Sequence, residues 1–136
     1  METQHTDYKN KLILIVDDDE DYLLQMKLNV ERMGFSTITA DSQAEAEEII
    51  AKTKPALCIF DLMMEKEDSG FVLCYRVKKK YPDVPIIIAS AVGAETGLAF
   101  DVNTESERSW IKADLFLEKG IRYDQLHREI INLLKL

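Results

Sequence analysis

Apolar residues in this chain gather into five short runs that each stop at a polar group, with helical patterns between them. Leu12 to Val16 is continuously apolar, as suits a strand buried on both faces. Tyr22 to Met33 carries apolar residues at Leu24, Leu28 and Met33 with Leu23, Met26 and Val30 beside them, and Gly34 follows as a left-handed helix cap. Phe35 to Thr39 alternates polar and apolar residues and is rich in threonine, which predicts a half-exposed edge strand. Ser42 and Glu45 have the spacing of a capping box, opening a helix that turns Ala46, Ile49 and Ile50 inward and fades at Lys52, ahead of Pro55. Leu57 to Phe60 predicts the third strand, Phe71 to Tyr81 the third helix, and Val84 to Ala89 the fourth strand, with Pro85 tolerable only near its start. Leu115 to Leu117 reads as a short fifth strand and Tyr123 to Leu136 as a final helix burying Leu126, Ile130, Leu133 and Leu134. The stretch from Gly93 to Ala113 is the least regular; Thr104 and Glu107 offer a capping box for a helix of about two turns through Trp110.

Strands alternating with helices predict an α/β fold, a doubly wound five-stranded parallel sheet of the flavodoxin-like (βα)5 kind, because parallel strands need right-handed crossovers. The edge character of Phe35 to Thr39 favours strand order 2-1-3-4-5, which opens a crevice between strands one and three. The chain has 136 residues, the size of one core. Residues 1–10 are polar and are expected to form a flexible tail, with a single domain over 11–136.

A formal charge of -8 disfavours nucleic acid as a direct partner, since binding to a phosphate backbone depends on basic residues displacing counterions. No run approaches the ~20 apolar residues of a membrane span, and the N-terminal stretch lacks the apolar core of a secretion signal, so a cytoplasmic location is expected. Cys58 and Cys74 lack CxxC spacing and are expected to be reduced thiols in or near the core. His5 and His127 are poorly placed for a catalytic triad.

Three aspartates stand at the strand stops, Asp17 and Asp18 after the first run and Asp61 after the third. In a parallel sheet the carboxyl ends of the strands share one edge, so these carboxylates converge there. Pairs within 4 to 5 Å would repel by roughly 4 kcal/mol at an effective dielectric of 20. A hard divalent cation relieves this, and Mg2+ is commonly held by one or two carboxylates plus waters and a phosphate oxygen. Ser90 and Lys119, at two further strand ends, add a hydroxyl and an ammonium. Phosphoryl transfer needs little beyond an in-line nucleophile, a metal and donors for the equatorial oxygens. Asp61 is then the expected nucleophile, forming an aspartyl phosphate, with Asp18 and Asp61 holding the metal directly and Asp17 helping through water. Taken alone, the acids from Asp17 to Asp21 also suit a helix start, Asp61 a loop cap, Ser90 a turn, Lys119 a surface cation and Phe116 the core.

The segments ILIVDDDED at Ile13 to Asp21, FDLMM at Phe60 to Met64, IIIASA at Ile86 to Ala91 and LFLEKG at Leu115 to Gly120 resemble the motifs of the response-regulator receiver domain, in their order and in their strand-end placement. The resemblance extends from about Lys11 to Leu136. It implies that Asp61 is the phosphoacceptor, that Asp17, Asp18, Asp61 and the backbone carbonyl of Met63 bind Mg2+ (or Mn2+), and that Ser90 and Lys119 assist. Ser90 and Phe116 are implied as the conformational switch. It further implies a phosphorelay protein that takes its phosphoryl group from a phosphohistidine on a sensor histidine kinase or phosphotransfer protein, hydrolyses its own acyl phosphate, and signals to a downstream protein. Such a protein is not an enzyme in the ordinary sense, acting only on its own aspartate. Apolar Met63 and Val92, which resemble the family's hydrolysis-tuning positions, imply a long-lived phosphoryl group.

The sequence departs from the family at Glu65 and at Gly120, where prolines are usual, and in the length of the connection from Ser90 to Lys119. These departures motivate an alternative, a phosphorylation-independent pseudo-receiver acting as a protein-binding module. A haloacid-dehalogenase type of phosphohydrolase needs a second aspartate two residues past the nucleophile, where this chain has Met63.

Overall fold

A computed structural model describes residues 8–62, 64, 69–90 and 113–136. Five strands, β1 (Tyr8–Val16), β2 (Phe35–Ala40), β3 (Leu57–Asp61), β4 (Ile86–Ser90) and β5 (Leu115–Glu118), form one sheet in the order β2-β1-β3-β4-β5. Every neighbouring pair is parallel. The helices are α1 (Glu20–Arg32), α2 (Gln43–Lys52), α3 (Ser69–Lys80) and α4 (Tyr123–Leu134). The predicted flavodoxin-like fold and strand order are therefore present. The possible helix at Thr104 to Trp110, together with Met63, Glu65 and Val92, lies outside the described residues. No helix of the described residues is long and apolar enough to cross a membrane.

Strand alternation divides the core into two layers, because successive side chains point to opposite faces. Leu14, Val16, Cys58, Phe60, Ile86 and Ile88 pack with Ala46 and Ile50 of α2 and with Leu73, Cys74 and Val77 of α3. Ile13, Ile15, Leu57, Ile59 and Ile87 face the other way, onto Met26 and Val30 of α1 and Leu126 and Ile130 of α4. Both cysteines are buried in the core, as expected, and neither forms a disulfide among the described residues. Burial raises the Cys58 thiol far above its usual range, so it stays protonated and behaves as a small hydrophobe.

Most elements start or stop one or two residues from the sequence reading, as α1 does at Glu20 and α3 at Ser69, and three differences have a clear physical cause. β1 starts at Tyr8, inside the segment expected to be a tail. The Tyr8 ring stacks on Phe35 at 4.9 Å, its N–H donates to the Gly34 carbonyl, and a bulge between Tyr8 and Leu12 absorbs the polar residues that had argued against a strand. α4 stops at Leu134, and Leu133 and Leu134 are only half-buried. The i, i+4 pair Leu126 and Ile130 takes the line facing the sheet, and the two leucines of the last turn flank it. At α2, Ser42 caps as predicted by accepting from Glu45 N at 3.1 Å, but the returning Glu45 carboxylate accepts from Asp41 N at 3.0 Å, one residue before the usual capping-box partner. Gly34 does take the left-handed conformation, with φ of 105°.

Candidate functional site

The acidic run after β1 splits into two jobs. Asp19 caps α1, its Oδ1 accepting from Asp21 N at 3.1 Å and Tyr22 N at 3.2 Å, while Glu20 and Asp21 occupy the first turn, where negative charge meets the positive end of the helix dipole. Asp17 and Asp18 are left for the crevice. Asp17 is 1% exposed and Asp18 is exposed. With Asp61, the last residue of β3 and 7% exposed, they present oxygens that all lie within 4.8 Å of one another. The donor set is three hard carboxylate oxygens, a chemistry that could hold a divalent cation.

Lys119 enters from the turn after β5. Its Nζ lies 2.7 Å from Asp17 Oδ2 and 3.2 Å from Asp61 Oδ1. Its backbone N–H donates to the Ser90 carbonyl at 2.8 Å, continuing the β4–β5 ladder one residue past the strand. That bond fixes the backbone of Lys119 just past the strand, and the described residues hold no cis peptide bond. The opposite Asp17 oxygen, Oδ1, accepts from Asp19 N at 2.9 Å, so both oxygens of Asp17 are engaged.

Burial pushes the Asp61 carboxyl up to about 6, and neighbouring Asp17 pushes the same way, against the opposing pull of Lys119. For Lys119, burial favours the neutral amine, but its bond to Asp17 and the charges of Asp61 and Asp17 outweigh this and raise it above its ordinary value. Among the described residues the crevice is thus an acid-rich site held together by one shared ammonium.

Ser90 ends β4, 8% exposed, one residue beyond the pair Asp61↔Ala89. Phe116 is half-buried, opposite Ile88, and packs against the layer covered by α2 and α3. The fold thus brings Asp17, Asp18, Asp61 and Lys119 into contact range, with Ser90 bonded in through its backbone and Phe116 one strand further out.

Two residues of the site escaped sequence reasoning. Tyr22 lies in the first turn of α1 with its ring centroid 4.8 Å from Lys119 Nζ. Its place four residues after Asp18, on the helix turn beside the crevice, was the available signal. Gly70, in the first turn of α3, donates its N–H to the Leu62 carbonyl at 3.0 Å, and a Cβ there would sit 2.5 Å from the Asp61 carbonyl oxygen. Only glycine lets α3 approach β3 this closely. Gly70→Ala is expected to lower the unfolding free energy by about 1 to 3 kcal/mol, the range for overpacking. Urea denaturation checks it, and unchanged stability would mean that α3 moves aside freely.

A family model described as response regulator receiver domain matches residues 13–131. Among curated proteins, the alkaline phosphatase synthesis transcriptional regulatory protein PhoP of Bacillus subtilis is 35% identical over 86 residues, covering 63% of this chain and 35% of that protein. The transcriptional regulatory protein GlrR of Escherichia coli is 36% identical over 87 residues, covering 64% of this chain and 19% of that protein. The chain therefore spans well under half the length of these two relatives. A solved structure of a response regulator receiver domain protein from Clostridium thermocellum aligns with a TM-score of 0.76 at 24% identity, covering 92% of this chain and 94% of that one, a likeness of fold.

Proposed function

This chain belongs to the response regulator receiver domain family, and from that premise we propose that it accepts a phosphoryl group on Asp61 and signals through the resulting change of shape. The observation that carries this reading is the single ammonium of Lys119 shared by Asp17 and Asp61 inside a cluster of three carboxylates.

In the proposed reaction a carboxylate oxygen of Asp61 attacks the phosphorus of a phosphohistidine. The O–P bond forms as the P–N bond breaks, and the imidazole nitrogen leaves with the bonding pair. At neutral pH Asp61 is mostly ionised despite its raised pKa, so it can act as the nucleophile. Lys119 exchanges its contact with Asp61 for a phosphoryl oxygen, and Ser90 offers its hydroxyl to another. Hydrolysis later places a water oxygen on phosphorus, giving inorganic phosphate, a proton and the free carboxylate. Asp18 and Asp61 suit direct coordination of Mg2+ (or Mn2+), and Asp17, whose oxygens are already engaged, suits contact through water; the Met63 carbonyl is proposed as a further ligand. The metal would supply charge neutralisation to the transferring group.

A phosphoryl group adds about two negative charges. Movement of Ser90 toward them would free space on the face where Phe116 packs, and inward rotation of Phe116 would carry the signal to a downstream protein. The phosphoryl source is proposed to be a sensor histidine kinase or phosphotransfer protein in the cytoplasm.

Incubation with Mg2+ and acetyl phosphate tests the reading by intact mass. The expected result is a gain of one phosphoryl group, absent in Asp61→Asn. No gain in the wild-type protein would overturn it in favour of a phosphorylation-independent binding module.

A further inference from the structure

Lys119 is held by contacts that phosphorylation must disturb. Phosphorylation of Asp61 to an acyl phosphate takes one carboxylate oxygen out of its reach, and a metal at the acidic cluster would compete for the others. Packing supplies little restraint on the following residue, since a Cβ at Gly120 would meet nothing within 4 Å. A cleft of about 410 Å3 also opens alongside, lined in part by Lys119, Gly120, Ile121 and Gln25. A long flexible ammonium with exchangeable partners needs a contact that stays in place.

The Tyr22 ring is such a contact. An aromatic face attracts an ammonium at this range through its quadrupole, without carrying a charge of its own. The ring is fixed from two directions, as its backbone N–H is bound by the Asp19 cap and its side chain packs against the layer covered by α1 and α4. Burial, reinforced by Asp17 and Asp61, pushes the phenol well above its ordinary pKa, so the ring stays neutral. Its hydroxyl is buried without a hydrogen-bond partner among the described residues. A phenol so placed is not held there by its oxygen, which leaves the ring face as the useful part.

We propose that Tyr22 is a positioning residue for Lys119, its ring holding the ammonium over the crevice while the lysine exchanges a carboxylate for a phosphoryl oxygen. This rests on Asp61 being the phosphoacceptor. The contribution belongs to the transfer step, so it should appear in the maximal rate rather than in metal binding.

The experiment measures initial rates of phosphoryl uptake against acetyl phosphate concentration, with Mg2+ affinity measured separately by calorimetry. Tyr22→Leu is expected to lower the maximal rate about tenfold, equivalent to about 1.4 kcal/mol, with Mg2+ affinity within about twofold of wild type. Tyr22→Phe, which keeps the ring, is expected to restore the rate to within about twofold. In a Lys119→Ala background Tyr22→Leu should have no further effect, because the partner it positions is gone. Should Tyr22→Leu fold poorly, Tyr22→Met keeps side-chain length without a ring and takes its place. A wild-type rate in the ringless variant overturns the proposal. So does a loss as large in Tyr22→Phe, a parallel loss of Mg2+ affinity, or an undiminished effect in the Lys119→Ala background. Absence of uptake by the wild-type protein would instead overturn the phosphoacceptor reading, and this proposal with it.

Discussion

Asp61→Asn is expected to make the metal-free protein more stable by about 2 to 3 kcal/mol at pH 7.5. Asp61 is ionised there in both folded and unfolded chains, but its folded pKa is raised from 3.8 to about 6, chiefly by burial and then by Asp17. Each unit of such a shift corresponds to about 1.36 kcal/mol, so retaining this charge costs the fold roughly that much for every unit. The sign follows from linkage. Below pH 4 the carboxyl is protonated in both states and nothing is lost. Between pH 4 and pH 6 the unfolded chain ionises first, so wild-type stability falls as pH rises, and above pH 6 the deficit is complete. Asparagine has no charge to desolvate and keeps an oxygen that accepts from Lys119. Urea denaturation in chelator at pH 4 and 7.5 checks this, with the two proteins nearly equal at the lower pH. Millimolar Mg2+ should close the gap, because binding stabilises the wild type by mass action. An asparagine variant less stable than wild type in chelator at pH 7.5 would show that Asp61 does not bear the charge strain described.

That strain is legible in the amino-acid sequence alone. Apolar runs ending in Asp17, Asp18 and Asp61 carry the prediction, because a parallel sheet leaves no other place for such groups than its carboxyl edge. The period-two division of the core was equally readable from Ile13 to Val16 and Leu57 to Phe60, where continuous hydrophobicity means burial on both faces. What escaped notice depends on long-range contacts. Tyr8 belongs to β1 because of Phe35, 27 positions away, and no local pattern reports that. Gly70 reads as an ordinary glycine until β3 is laid against the start of α3. The run from Asp17 to Asp21 had two competing readings, helix start and crevice acid. Both apply, with the division falling at Asp19, whose side chain turns to the helix while Asp17 turns to Lys119. Leu133 and Leu134 were overcounted as core because a helical stripe predicts which face turns inward but not how much of its last turn the sheet covers.

Lys119→Ala should separate the two uses of the ammonium, catalysis and structural charge balance. Loss of a preorganised donor aimed at developing charge typically lowers a rate by 10² to 10³, and about 10²-fold slower phosphoryl uptake is expected. The structural effect should be of similar weight. Asp17 and Asp61 are 1% and 7% exposed and, among the described residues, share Lys119 as their cation, so its removal leaves two buried carboxylates facing each other. Breaking a buried pair from one side generally costs about 3 to 5 kcal/mol. In chelator at neutral pH the alanine variant should be destabilised by that order, and acid should relieve part of the loss as Asp61, its pKa raised further, takes up a proton. Mg2+ should relieve it too, and bind several-fold more tightly than in wild type, because the competing ammonium is gone. The variant would then be more dependent on metal for folding yet slower to react, a combination that simple disruption of the fold does not produce. Phosphoryl uptake within about threefold of wild type would show that Lys119 balances charge in the resting site and takes no part in the transfer.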